Sequence, residues 1–133
     1  MRILLIAATC IACILAQAQV KTDTIRPGEL WPDDRGMHIQ AHGGGIIKVG
    51  ETYYWFGEDR SRENDPAKRY VACYSSTDLV HWKFRNQVMR TGDPENFGEG
   101  FVLERPKVFY NAKTGKYVMY LHMDNKQYTA ARV

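Results

Sequence analysis

The 133-residue sequence has few cysteines and no long apolar segment. Two of its three cysteines, Cys10 and Cys13, lie in an apolar stretch over residues 3–15, so Cys73 is the only cysteine after that stretch. A single thiol excludes a fold held together by internal disulfides. Because Cys73 lies in an apolar, strand-like pattern, we expect it to be a small buried hydrophobic side chain.

A large excess of charge of either sign is also absent. Lys and Arg number 18 against 15 Asp and Glu, which gives a formal net charge of +3 at pH 7. Nucleic-acid-binding domains normally present a clustered basic face, and this sequence shows no such cluster. We therefore expect no nucleic-acid partner.

The N-terminal segment has the pattern of a secretory signal. Arg2 supplies a positive charge, the apolar stretch follows, and Ala16 and Ala18 are the small residues of a cleavage site. The stretch is too short to anchor the chain across a bilayer. We expect residues 1–18 to be a signal peptide, and the mature protein to be secreted or periplasmic with no membrane partner after cleavage. The alternatives are a buried N-terminal helix and, through Cys13, a lipidated N-terminus.

The remaining sequence is predicted to be all-β, because short runs of β-branched and aromatic residues alternate with turn residues. A polar, extended lead-in over residues 19–34 precedes two units that follow the same order at an offset of about 60 residues. In the first unit we expect a charged loop over 60–69 and strands over 39–49, 53–56, 70–75 and 81–84. In the second we expect strands over 106–110, 117–122 and 128–133.

Two similar units favour a repeat architecture, and four-stranded antiparallel units are typical of propeller blades. Residues 35–133 would then hold a first blade over about 38–85 and part of a second over about 101–133. Each repeat buries its apolar face against its neighbours, so these units alone would not close the array. The alternative is a small free-standing β-sandwich.

Two carboxylates stand out as candidates for a binding or catalytic site. Glu58 follows a run of aromatic strand residues and could accept hydrogen bonds from sugar hydroxyls, or it could form a salt bridge with Arg60 or Arg62. Glu104 and Arg105 lie at the entry to a buried strand, where a charged pair costs desolvation unless it is used. We expect these residues to lie at the mouth of a central channel.

A third candidate is the segment with His38, His42 and three glycines over residues 38–45. Consecutive glycines disfavour a helix, and in a strand the two histidines would be about 13 Å apart, too far for one metal ion. We therefore expect no metal and no cofactor here. The glycines would let the backbone approach a ligand or another strand, with His42 facing the same space.

A fourth segment, residues 75–82, predicts a structural turn rather than a site. We expect Asp78 to accept hydrogen bonds from turn amides, Leu79 to fill the interior of the unit, and Trp82 to pack on the next unit.

Taken together, these motifs resemble glycoside hydrolase family 43. The residues that carry the resemblance are QAHGGG at 40–45, YYWFGE at 53–58 and ERPKV at 104–108. They point to the branch that contains galactan 1,3-β-galactosidases, and the resemblance extends from about residue 31 to 133.

The resemblance implies a five-bladed β-propeller that removes galactose from the end of β-1,3-galactan by inversion, in carbohydrate catabolism. It makes Glu104 a catalytic-site carboxylate that tunes the pKa of the general acid and contacts the sugar. It makes Glu58, Tyr128 and, as a weaker candidate, His42 substrate-binding residues. Most of the family carries its base in the segment matching 40–44, which has no carboxylate here.

No residue of this sequence corresponds to the general acid of the family. We therefore expect the full-length protein to be a glycosidase acting on a polysaccharide or oligosaccharide, and the 133-residue fragment alone to be inactive. The alternatives are a non-catalytic sugar-binding propeller and a family 43 hydrolase with arabinan or xylan specificity.

Overall fold

The computed structural model describes residues 23–92 and 100–133, so the predicted signal segment 1–18 lies outside the described residues. Within that part of the chain all regular structure is β, which confirms the predicted all-β class, and no helix able to cross a membrane is found there. The described residues form six strands: β1 His42–Val49, β2 Thr52–Asp59, β3 Tyr70–Ser76, β4 Lys83–Arg90, β5 Phe101–Asn111 and β6 Lys116–Asn125.

Strands β1 to β4 form one antiparallel sheet in chain order, and β5 and β6 form a separate hairpin. A two-residue turn joins β1 to β2, because Val49 pairs directly with Thr52. Gly50 in that turn has a φ of +58°, which glycine adopts without steric cost. The hairpin packs beside the sheet through a shared apolar cluster of Val71, Leu103 and Leu121.

Three of the strand predictions differ clearly from the structure: β5 begins at Phe101 rather than at 106, and two others are wrong. The fourth strand runs over Lys83–Arg90 rather than 81–84, because β4 is an edge strand whose exposed polar residues weaken the apolar signal. No continuous strand covers 128–133. There, Arg132 alone pairs with Met123, while Tyr128 lies in a turn and donates its amide hydrogen to the carbonyl of Asn125.

The core of the first sheet is a row of three tryptophans. The Trp82 ring lies 5.1 Å from that of Trp55, which in turn lies 5.7 Å from Trp31 of the lead-in. Trp82 is 2% exposed, and its indole Nε1 donates to the carbonyl of Leu79. The expectation that Trp82 packs on the next unit is therefore wrong: it stabilises its own sheet.

The turn before β4 has the predicted structural role. Asp78 Oδ1 accepts hydrogen bonds from the amides of His81 and Val80, at 2.8 and 2.9 Å. These bonds, with the contact to the His81 ring, hold the pKa of Asp78 well below its usual range. Leu79 takes a φ of +65° and packs against the tryptophan core.

Cys73 on β3 is buried, as expected for a small hydrophobic side chain. Burial raises the pKa of its thiol to about 11, so the folded protein keeps it protonated where an unfolded chain would ionise. The thiol therefore contributes to a loss of stability as the pH rises from 9.0 to about 11.

We expect iodoacetamide at pH 8 to leave Cys73 unmodified in native protein lacking residues 1–18, and to label it fully in urea. Mass spectrometry measures both, and rapid labelling of the native protein would contradict the burial.

Candidate functional site

A cleft of about 490 Å³ lies where the end of β2 and the loop after it face the start of β5. Glu58, Arg60, Glu104 and Tyr128 all line it. The structure thus brings three of the four sequence-predicted site residues to one place, from three separate stretches of chain.

Glu58 comes from the end of β2 and is 8% exposed. Its Oε2 accepts two hydrogen bonds from Arg60, from Nε at 3.0 Å and from Nη2 at 2.7 Å. This pairing raises the pKa of Arg60. The salt bridge considered from the sequence is therefore formed, and it uses one carboxylate oxygen, so Oε1 can accept a hydrogen bond from a ligand.

Glu104 comes from β5, and its Oε1 accepts a hydrogen bond of 2.8 Å from the hydroxyl of Tyr128. That bond raises the pKa of the Tyr128 phenol, which therefore stays a donor in the neutral range. Tyr128 is 58% exposed and has a φ of +56°. The sequence analysis named Tyr128 as a site residue, but it predicted a strand where the structure has a turn.

The two carboxylates belong to one electrostatic cluster, since both Glu58 and Glu104 raise the pKa of Arg60. Two acceptors, a guanidinium and a phenol converge on the cleft. Sites for small polar ligands use a few such convergent groups to fix orientation, and charge-assisted hydrogen bonds of this kind are the stronger ones. The arrangement is suited to binding the hydroxyls of a sugar.

Asp59, next to Glu58, lines the cleft, but its side chain is occupied by hydrogen bonds within the protein. It accepts hydrogen bonds from Ser61 and from the side-chain amide of Gln87 on β4. Burial alone would raise the pKa of Asp59, but these bonds, with that of Asn64, outweigh it and lower the pKa. Asp59 therefore anchors the 60–69 loop to the sheet and leaves Glu58 as the open carboxylate of β2.

The glycine segment explains how β1 fits beside the site. A Cβ on Gly44 would lie 2.2 Å from the carbonyl oxygen of Phe56, so only glycine lets β1 approach β2 this closely. Lys107 of β5 donates through Nζ to the carbonyls of Gly43 and Gly44, at 2.8 and 2.9 Å. The predicted close approach of the backbone to another strand is confirmed, and it ties the two sheets together.

His42 is not brought into the cleft. It pairs with Glu58 across β1 and β2, but it is not among the lining residues, and its ring contacts Gln40 Oε1 at 2.9 Å. In residues 23–92 and 100–133 there is no group of three or more His, Cys, Asp or Glu side chains able to hold a metal ion.

The two units also repeat a backbone irregularity at the site. Strands β1 and β5 share an irregularity, with a positive φ at Gly43 and at Arg105. His42 faces Glu58 across the first hairpin, and Glu104 faces His122 across the second. The register of β5 with β6, rather than any sequence motif, places His122 beside Glu104.

No family model and no curated protein matches this sequence, whereas several solved structures do. An exo-β-1,3-galactanase from Phanerochaete chrysosporium, solved with β-1,3-galactotriose, is 44% identical with a TM-score of 0.69, and the match covers 77% of this chain and 24% of that chain. A GH43 β-1,3-galactosidase with galactodeoxynojirimycin is 45% identical with a TM-score of 0.66, covering 77% and 30%. An exo-β-1,3-galactanase from Clostridium thermocellum is 41% identical with a TM-score of 0.61, covering 74% and 21%.

The chain spans less than a third of the length of each of these three proteins. Over the matched part, however, identity above 40% accompanies the same fold in all three. The chain therefore belongs to glycoside hydrolase family 43.

Proposed function

We propose that the full-length protein carrying this chain removes galactose from the end of β-1,3-galactan, and that the chain supplies the sugar-holding side of its active site. The observation that carries the proposal is the cleft in which Glu58 and Glu104 converge with Arg60 and Tyr128. The choice of sugar is supported by similarity to solved proteins described as β-1,3-galactanases and β-1,3-galactosidases.

The proposed reaction proceeds by inversion, in which an acid protonates the leaving oxygen and a base activates water on the opposite face of the sugar. Glu104, held by Tyr128, would contact the sugar and raise the pKa of a neighbouring acid through like-charge repulsion. The acid and the base would come from further units of the same domain.

The proposed domain is a five-bladed propeller within residues 35 onward, with β1–β4 as one blade and β5–β6 as the start of the next. The repeated bulge in β1 and β5 supports this reading. So do Phe109 and Tyr120 on the hairpin, which are 56% and 54% exposed and would be covered by a third blade. We also propose that residues 1–18 direct the protein to the periplasm or outside the cell.

Incubation with β-1,3-galactan tests the function. We expect the full-length protein to release galactose, and proton NMR to detect the α-anomer first, because inversion of a β-linkage yields α-galactose. The purified 133-residue chain is expected to release none. Parallel reactions with β-1,4-galactan, arabinan and xylan test specificity. Release of the β-anomer first, or no galactose from the full-length protein, would contradict the proposal.

A non-catalytic sugar-binding propeller is the second candidate. It is favoured by one observation: Glu58 and Glu104 line one cleft, and no described residue corresponds to the general acid of the family. Such a protein would bind galactose without hydrolysing galactan. A glutamate at the entry to an inner strand of a third or fourth blade would favour the enzyme instead.

A further inference from the structure

We propose that His122 is a positioning residue of this site: it holds the ring of Tyr128 so that the phenol hydroxyl reaches Glu104. The inference rests on the proposed function and deepens it, because His122 is not among the residues that line the cleft. It would act on the sugar through Tyr128 rather than by contact.

The rings of His122 and Tyr128 are stacked. Their centroids are 6.4 Å apart and their planes differ by 7°, which describes two parallel, offset rings. Offset stacking is a favoured geometry for aromatic pairs at such separations. His122 also lies directly opposite Glu104 in the pairing of β6 with β5. The imidazole is thus next to both partners of the Tyr128–Glu104 hydrogen bond.

A buried carboxylate lies beside His122 on another side. Its Nε2 lies 3.5 Å from Oδ2 of Asp124, whose side chain is 3% exposed. The second oxygen of Asp124, Oδ1, accepts hydrogen bonds from the amides of Asn125 and Ala130, at 2.8 and 2.9 Å. Because these bonds hold Asp124 at the base of the 125–130 turn, the imidazole has a rigid partner.

Tyr128 needs such support. Its φ of +56° is a conformation that residues with a side chain rarely adopt. Two hydrogen bonds stabilise the backbone of the turn: Tyr128 N to Asn125 O at 3.0 Å and Thr129 N to Asn125 Oδ1 at 2.9 Å. They place the Cα atom but leave an exposed phenol free to rotate. The stacked imidazole selects the rotamer that points toward Glu104.

Contacts therefore run from buried Asp124 through His122 and Tyr128 to Glu104. Loss of the imidazole would leave the phenol donating to Glu104 for only part of the time. Glu104 would then be less well oriented for the sugar. Small misplacements at an active site carry large rate penalties, so a residue outside the cleft can affect the reaction.

The test is a set of variants in the full-length protein: His122→Ala, His122→Phe, Tyr128→Phe, and His122→Ala combined with Tyr128→Phe. We measure kcat and KM on β-1,3-galactobiose and the Kd for galactose by calorimetry. His122→Ala is expected to lower kcat/KM and weaken galactose binding about tenfold. His122→Phe, which keeps a flat ring, is expected to stay within about twofold of wild type.

The double variant separates positioning from a general structural effect. Tyr128→Phe removes the hydroxyl, so adding His122→Ala is expected to cost less than about a further twofold, because both changes break one connected interaction. Lys116→Ala, at the exposed start of β6, is the control for changes on the same strand. Thermal unfolding is followed for each variant, and His122→Gln replaces the alanine variant if that one does not fold.

Wild-type kinetics and galactose affinity in His122→Ala would overturn the inference. So would an equal loss with and without the Tyr128 hydroxyl, or a His122→Phe variant as impaired as the alanine one. If wild-type protein binds galactose but hydrolyses nothing, the proposed hydrolase function fails, and the Kd values of the variants still decide the role of His122. If wild-type protein neither binds nor hydrolyses, both proposals are wrong.

Discussion

Replacing Glu104 by glutamine in the full-length protein is expected to lower kcat for galactose release from β-1,3-galactan by about 100-fold. Glutamine keeps the size of the side chain, and its Oε1 can still accept the hydrogen bond from Tyr128. What is lost is the negative charge, which in the proposed site raises the pKa of the general acid. The variant is expected to unfold at the wild-type temperature, because its packing and its hydrogen bond are retained.

The pH profile of Glu104→Gln gives a second measurement. The general acid must be protonated to act, and removing a neighbouring negative charge lowers its pKa. The alkaline limb of the kcat profile should therefore move to lower pH. Glu51→Gln is the matched control, because Glu51 lies in the β1–β2 turn with a side chain that is 95% exposed. An unchanged rate in Glu104→Gln would remove Glu104 from the site.

The parts of the fold that the sequence predicted are those decided by local chemistry. The amide hydrogen bonds of Asp78 involve residues two and three positions further along the chain. The burial of Cys73 follows from its apolar neighbours on one strand. Where residues close in the sequence determine a structural feature, the pattern of residue types is sufficient to predict it.

The parts that the sequence missed depend on distant contacts. From the sequence, Trp82 could pack against its own sheet or against a neighbouring one. In the structure its ring packs against Trp55, which in turn packs against Trp31 of the lead-in. In the described part of the chain β4 pairs only with β3, so its polar side chains can face solvent, and no local pattern indicates this position.

The sequence predicted the two carboxylates of the candidate site, but not the hydrogen-bond partners and the turn that surround them. Spacing alone allowed Glu58 either a sugar or Arg60, and the structure shows why these are compatible: the guanidinium binds Oε2 only. Glu104 and Tyr128 were located through motif resemblance. The turn that brings them together, and His122 behind it, depend on the pairing of β5 with β6, which the sequence-level repeat did not resolve.

Of the substitutions proposed for this protein, Gly57→Ala is expected to reduce stability the most. The backbone of Ala41 passes directly over this glycine of β2. A Cβ at Gly57 would lie 2.2–2.4 Å from the carbonyl carbon, Cα and oxygen of Ala41. These are backbone atoms, so no side-chain rotation can relieve the overlap. The segment would have to move off β2, taking Ile39 and Ala41 out of the core. Overpacking of this kind is expected to lower the free energy of unfolding by about 3 kcal/mol.

Gly50→Ala separates this steric effect from the general cost of replacing a glycine. Gly50 has no atom within 4 Å of an added Cβ, but its φ of +58° is unfavourable for alanine, so we expect a loss of about 1–2 kcal/mol. Urea unfolding followed by tryptophan fluorescence measures both variants in the full-length protein. Because His42, next to Ala41, pairs with Glu58, displacement of the 39–41 segment should also abolish galactose release in Gly57→Ala, whereas Gly50→Ala should keep it. Equal destabilisation by the two variants would show that residues 39–41 adjust without cost, and that the contact with Ala41 does not hold Glu58 in place.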